Sequence, residues 1–104
     1  MSLVNHPEHY NIAGRKECIE EMLENYGKMI TGCFCLTNAY KYLYRAGYKE
    51  GNSVEQDVEK AKWYFDYAKN RCSRLIKIHR GGDLFRLTSF IEEELEKYDK
   101  SGTC

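Results

Sequence analysis

The sequence predicts an all-α fold, a small bundle of about four helices that follows an irregular N-terminal segment. Proline occurs once in the 104 residues, at Pro7, so nothing interrupts the helical stretches further on. Apolar residues recur at three- and four-residue spacings and show no sustained alternation with polar residues, which favours helices over strands. The length fits a single domain with three parts. They are an irregular segment at 1–16, the bundle at 17–99 and a frayed tail at 100–104.

The first two predicted helices are separated by a glycine. The first runs over about 16–26 and is expected to end at Gly27, because glycine commonly terminates helices. The second runs over about 30–46 and ends at Gly47. Its three tyrosines spread around the cylinder, so we expect no side of this helix to be freely exposed; they are Tyr40, Tyr42 and Tyr44.

The third predicted helix begins at Ser53, which forms a capping box with Gln56. Apolar residues then repeat at alternating four- and three-residue spacings in a heptad seam: Val54, Val58, Ala61, Phe65, Ala68, Cys72 and Leu75. Such a seam predicts antiparallel neighbours in a bundle, or a helix shared with a second subunit. A fourth helix follows Gly82 and extends to about Tyr98, with a stripe formed by Leu84, Leu87, Ile91 and Leu95.

Charge and composition exclude several classes of function. Sixteen basic and sixteen acidic residues cancel, so neither bulk nucleic acid nor a membrane surface is an expected partner. No apolar run approaches the roughly 18 residues that a spanning helix needs. The absence of a secretory leader predicts a cytoplasmic location, where the five cysteines would be free thiols. No P-loop motif occurs in the sequence, which excludes an ordinary P-loop kinase. The glycine-rich motif of dinucleotide-binding proteins is also absent, which argues against a Rossmann site.

A stripe of cationic and amide side chains on the second predicted helix suits an anionic ligand. At about 100° per residue, Asn38, Lys41 and Arg45 fall within roughly 60° of one another. Lys49 follows just beyond the helix end, and no carboxylate occurs between Asn38 and Lys49. Arginine and lysine bind phosphate oxygens well. The alternative is a solvated face whose long side chains shield the core.

The third predicted helix presents a second polar face beside its seam. Asp57, Lys60 and Tyr64 are spaced three and four residues apart, so they share this face. Polar groups at the edge of a core either line a pocket between helices or pair with a neighbouring helix. Asp57 paired with Arg45 or Lys41 would be the purely structural arrangement.

Two histidines lie close together in the irregular N-terminal segment. His6 and His9 are suited to contacting a phosphate or transferring a proton, because imidazole titrates near neutral pH. The structural alternative is that both rings form hydrogen bonds with the backbone. A metal site would need two further ligands that the pattern does not supply, so no metal site is predicted.

Four segments that occur in this order resemble the SaV-like family of small bacteriophage and prophage proteins of unknown function. The resemblance covers about residues 4–67. Its specific parts are an Asn-His-Pro-x-His-Tyr start and an Asn-Ala-x-Lys-Tyr-x-x-Arg-Ala-Gly core. The segments are Val4–Tyr10, Glu17–Glu20, Phe34–Gly47 and Asp57–Phe65.

The resemblance implies a nucleotide as ligand. Members of that family are often described as nucleotide kinases, and the best-known lytic-phage relative is linked to phosphorylating deoxynucleoside monophosphates. The residues that match its motifs become candidate site residues: His6, His9, Tyr10, Asn38, Lys41, Arg45, Asp57, Lys60 and Tyr64. Catalysis by such a kinase would depend on positioning the reacting groups and neutralising phosphate charge.

Roles follow for these residues under the kinase hypothesis. Lys41, Arg45 and Lys49 would hold phosphates. His6 or His9 would contact or protonate the transferring group, and Asp57 would orient the cations or accept a sugar hydroxyl. Any Mg²⁺ would arrive with the nucleotide phosphate donor.

Two other classes of function stay open. One is an all-α nucleoside-triphosphate pyrophosphatase, an enzyme that uses magnesium on glutamate-rich helix faces. The other is a non-enzymatic phage accessory protein that binds a host partner. The heptad seam of the third predicted helix and the tyrosine-rich second helix suit such an interface, including a homo-oligomer formed through the third helix.

Overall fold

Three helices make up nearly all of the described part of the chain. A computed structural model describes residues 17–48, 51, 53–74 and 82–101. The helices are α1 at Cys18–Arg45, α2 at Val54–Arg71 and α3 at Asp83–Ser101. The prediction of an all-α fold is confirmed. The described residues contain three helices rather than about four, because the first two predicted helices form the single element α1.

Gly27 interrupts α1 without ending it. Its φ of 87° and ψ of −179° are not helical and lie in a region that glycine alone adopts readily. The helix therefore consists of two segments, 18–26 and 28–45, that meet at a kink. The predicted stop at Gly27 is this kink, and α1 ends at Arg45 before a second glycine of positive φ, Gly47.

The capping box at the start of α2 is confirmed. The Gln56 N–H donates to Ser53 Oγ at 3.1 Å, and the Ser53 N–H donates to Gln56 Oε1 at 3.3 Å. The seam that follows is buried against α1. The contact between α1 and α2 is the most extensive between any two of the three helices. The buried seam residues are Val58, Ala61, Phe65, Ala68 and Cys72. One chain is therefore enough to bury these five, and Leu75 of the predicted seam lies outside the described residues.

The helix α3 packs against both other helices. Ile91 and Leu95 are buried, whereas Leu84 and Leu87 are half-buried, so the predicted stripe faces the core. Phe90, beside that stripe, stays exposed. None of the helices in the described ranges combines the length and the apolar character that crossing a membrane requires.

Candidate functional site

A cavity of about 260 Å³ lies between α1 and α2. Both segments of α1 contribute to its wall, so the kink at Gly27 sets the angle between two parts of that wall. The residues from α2 are adjacent in sequence. The cavity is lined by Glu17 just before α1, by Cys18, Ile19 and Met22 on its first segment, by Phe34, Asn38, Lys41 and Tyr42 on its second, and by Trp63 and Tyr64 on α2.

Aromatic rings in contact with one another form one side of the cavity. Tyr42 and Tyr64, both buried, stack with centroids 5.9 Å apart and planes inclined by 13°. Phe34 and Trp63 each meet the Tyr64 ring edge to face, at 5.9 and 5.1 Å. Such contacts fix ring orientations. Phe34 is exposed and Trp63 half-buried, so both are accessible from solvent.

Three cationic side chains gather around Tyr42. The centroid of the Tyr42 ring lies 4.6 Å from Lys41 Nζ, 5.5 Å from Lys60 Nζ and 5.9 Å from Arg45 Cζ. Lys60 comes from α2 and the other two from α1. The electron-rich ring face attracts each cation, and the cations repel one another. Cations predicted separately on two helices therefore meet at one ring, beside the aromatic cavity.

The predicted site residues fall into three groups. Asn38, Lys41 and Tyr64 line the cavity, and Arg45 and Lys60 border it through Tyr42. Asp57 is completely buried on α2 and is not among the described residues that line the cavity. Its role in orienting the cations or accepting a sugar hydroxyl stays a prediction. His6, His9, Tyr10 and Lys49 lie outside the described residues.

Sequence reasoning missed the aromatic side chains that organise the cavity. The sequence predicts no site role for Tyr42, Phe34 or Trp63, which enter only as parts of the segments that resemble the family and, for Tyr42, as one of three tyrosines around the helix. The available signal was adjacency, since Tyr42 follows Lys41 and Trp63 precedes Tyr64. Only tertiary packing brings Glu17 and Met22, near the start of α1, to the cavity.

A family model matches residues 4–66; its description is protein of unknown function, DUF3310. The chain belongs to the DUF3310 family. Among curated proteins and among solved structures, nothing matches the chain. All ten residues that line the cavity fall within the DUF3310 match, whereas α3 lies beyond it. The cavity therefore lies within the matched region, and α3 lies outside it.

A small polar cluster joins the first segment of α1 to the part of α2 that lies just beyond the DUF3310 match. The Tyr67 hydroxyl donates to Glu20 Oε2 at 2.5 Å, and Arg71 donates to the same oxygen at 2.8 Å. Tyr67 also stacks on Trp63, with centroids 5.5 Å apart. Burial, followed by the hydrogen bond and charge of Glu20, raises the pKa of Tyr67 well above its usual range. The cluster therefore holds Tyr67 in place, and Tyr67 packs against Trp63 in the cavity wall.

The raised pKa of Tyr67 predicts a share of stability that is lost at alkaline pH. In the folded protein the Tyr67 hydroxyl keeps a proton that the unfolded chain releases near pH 10. Its contribution to the free energy of unfolding is therefore complete below about pH 10 and falls as pH rises further. We expect the urea midpoint of the wild type to fall more steeply above about pH 10 than that of Tyr67→Phe. Tyr26→Phe, which alters an exposed tyrosine, should follow the wild type. Parallel loss in wild type and Tyr67→Phe would contradict the assignment.

The buried cysteines are not poised for nucleophilic chemistry. Burial, with a smaller effect of Cys72, raises the pKa of Cys35 to about 12. Burial also raises the pKa of Cys72. Both thiols therefore stay protonated at neutral pH, and the thiolate is the reactive form. Among the residues that the structure describes, no three histidine, cysteine or carboxylate side chains are grouped as metal ligands.

Proposed function

We propose that the cavity between α1 and α2 binds a nucleotide, with its phosphates among Lys41, Arg45 and Lys60. The observation that carries this proposal is the meeting of these three cations around the Tyr42 ring, beside an aromatic-walled cavity. Cations held this close repel one another, and a phosphate group would offset that repulsion while accepting charge-assisted hydrogen bonds.

The aromatic side of the cavity suits a nucleobase. Phe34 and Trp63 are reachable from solvent and held by contact with Tyr64. Stacking of a base on such rings contributes roughly 1–3 kcal/mol in proteins that bind single strands. A volume of about 260 Å³ is below the roughly 300–1,000 Å³ of most ligand pockets, so we expect a base with its sugar inside and the phosphates at the rim.

The activity that we propose for this site is phosphorylation of a deoxynucleoside monophosphate without a P-loop. Support comes from the resemblance to SaV-like phage and prophage proteins, which also suggests a phage or prophage origin. Lys41 and Arg45 would neutralise phosphate charge, and any Mg²⁺ would enter with the donor nucleotide. The proton-transfer roles of His6 and His9 stay predictions. A cytoplasmic location is part of the proposal, and the buried free thiols of Cys35 and Cys72 suit a reducing compartment.

Trp63 supplies a direct test, because it is the one tryptophan of the chain and lines the cavity. The purified protein would be titrated with deoxynucleoside mono- and triphosphates, with and without magnesium, while its emission and melting temperature are followed. We expect a saturable change in emission and a rise in melting temperature. The parent nucleosides, which lack phosphate, should bind more weakly. If no nucleotide changes either signal, the proposal is wrong.

A further inference from the structure

The first segment of α1, residues 18–26, depends on the rest of the fold for its helical structure. It comprises nine residues, and an isolated helix shorter than about 12–15 residues is only marginally stable in water. The Glu17 side chain, at the N-cap position, forms no capping hydrogen bond with the first turn. Within 18–26, all of which the structure describes, Ile19 is the one buried residue. Detaching this segment therefore exposes far less apolar surface than unfolding the whole domain does.

Gly27 joins this segment to the rest of α1 through a backbone conformation that only glycine adopts readily. Its φ of 87° and ψ of −179° interrupt the helix at one residue. Among the described residues, a Cβ atom at Gly27 would meet no atom within 4 Å apart from its immediate neighbours in the chain. Rotation at such a residue changes the angle between two helical segments without disturbing packed side chains. Gly27 therefore has the properties of a hinge.

Glu20 fastens the segment to α2. Its Oε2 atom accepts hydrogen bonds from the Tyr67 hydroxyl and from the Arg71 guanidinium, which also supplies the opposite charge. The Arg71 and Glu20 side chains are 47% and 30% exposed, so water can replace this contact when the segment moves. An ion pair at such exposure stabilises only modestly and can break and form again. Glu20 is thus suited to act as a latch.

The segment also forms one wall of the cavity between α1 and α2. Cys18, Ile19 and Met22 line the cavity from this side, so movement of the segment about Gly27 opens that wall to solvent. We infer that residues 18–26 are a flap over the cavity, hinged at Gly27 and latched by Glu20, which opens to let a ligand enter and closes around it. The identity of that ligand as a nucleotide rests on the proposed function, whereas the motion of the flap does not.

Native-state hydrogen exchange of the full chain tests the flap without any ligand. Backbone amides of 21–26 should exchange as one group and faster than those of 31–43 in α1. Glu20→Gln should speed exchange in 21–26 about three- to tenfold, because it replaces charge-assisted hydrogen bonds with neutral ones, and should leave 31–43 unchanged. Glu94→Gln is the matched control. It removes a carboxylate that pairs with Lys97 on α3, and it should exchange like the wild type.

The hinge is tested by comparing Gly27→Ala with Gly51→Ala. The two glycines have φ values of 87° and 89°, and neither Cβ position has a described atom within 4 Å beyond its immediate neighbours. Both changes therefore impose the same kind of backbone strain. Gly27→Ala should disfavour the closed flap and speed exchange in 21–26 relative to 31–43. Gly51→Ala should not change the ratio between the two ranges.

Two results of these exchange measurements would overturn the inference. One is exchange in 21–26 that equals exchange in 31–43 in the wild type and in Glu20→Gln, since the segment would then open only when the whole domain unfolds. The other is a Gly27→Ala variant that keeps the same ratio as Gly51→Ala, which would mean that Gly27 is not a hinge.

The rate of nucleotide binding, followed by Trp63 emission in stopped flow, tests the flap as an entrance. A ligand that enters and leaves through the open flap should associate and dissociate about three- to tenfold faster in Glu20→Gln, in proportion to the larger open population. An association rate that stays at the wild-type value would exclude entry by this route. If no nucleotide binds, the proposed function is wrong, and hydrogen exchange still decides whether the flap exists.

Discussion

Phe65→Asp should leave the chain largely unfolded at 25 °C. Phe65 lies in the middle of the α2 seam and is 3% exposed. Truncating a buried phenylalanine costs about 3–5 kcal/mol, and burying a carboxylate without a partner adds to that cost. Small domains have only about 5–15 kcal/mol of stability in total. The Lys69 ammonium, 5.1 Å from the Phe65 ring, would also lose its aromatic partner.

Circular dichroism and urea unfolding would measure this effect. Tyr26→Asp is the matched control, because it places the same carboxylate at an exposed aromatic position. We expect the control to keep a cooperative transition close to that of the wild type. A cooperative transition of wild-type midpoint in Phe65→Asp would mean that the seam is not the main source of stability.

The fold was predictable where local pattern and tertiary packing agree. Ser53 and Gln56 form their cap within one turn, and the α2 seam repeats over the whole helix, so both could be read from spacing alone. Gly27 shows the limit of this approach. A glycine of positive φ can end a helix or kink it, and the choice depends on distant contacts. Here Ile19, before the kink, is buried in the same core as Leu36, after it.

The sequence predicted the cations that lie near the cavity, but it did not predict the residue that they surround. Lys41 and Arg45 share a helix face by periodicity, and Lys60 was found on another helix, but their meeting point depends on how the two helices pack. Tyr42 lies at that point and is buried against Tyr64. A buried tyrosine in an apolar stripe has no sequence signature that distinguishes a site from a core. Only the helix pairing shows that three cations share its ring.

Arg45→Ala should weaken nucleotide binding about 10- to 150-fold, which corresponds to the roughly 1.5–3 kcal/mol of a hydrogen bond to a charged group. Lys60→Ala should weaken it in the same direction, because both side chains face the Tyr42 ring. The fold should change little, since a cation–π contact near the surface contributes about 0.5–1 kcal/mol. Dissociation constants from Trp63 emission and melting temperatures measured in parallel would separate binding from stability.

Lys69→Ala provides the control that decides between a site and a general charge effect. Lys60 and Lys69 are both on α2, and each ammonium lies over an aromatic ring, at 5.5 and 5.1 Å. Only Lys60 borders the cavity. If Lys69→Ala weakens nucleotide binding as much as Lys60→Ala does, the phosphates respond to positive charge anywhere on α2, and the experiment has not located a site. If Arg45→Ala lowers the melting temperature in step with affinity, Arg45 is structural. Loss of affinity in Arg45→Ala and Lys60→Ala alone would locate the phosphates at the Tyr42 ring, because Lys69→Ala removes the same charge and the same kind of contact elsewhere on α2.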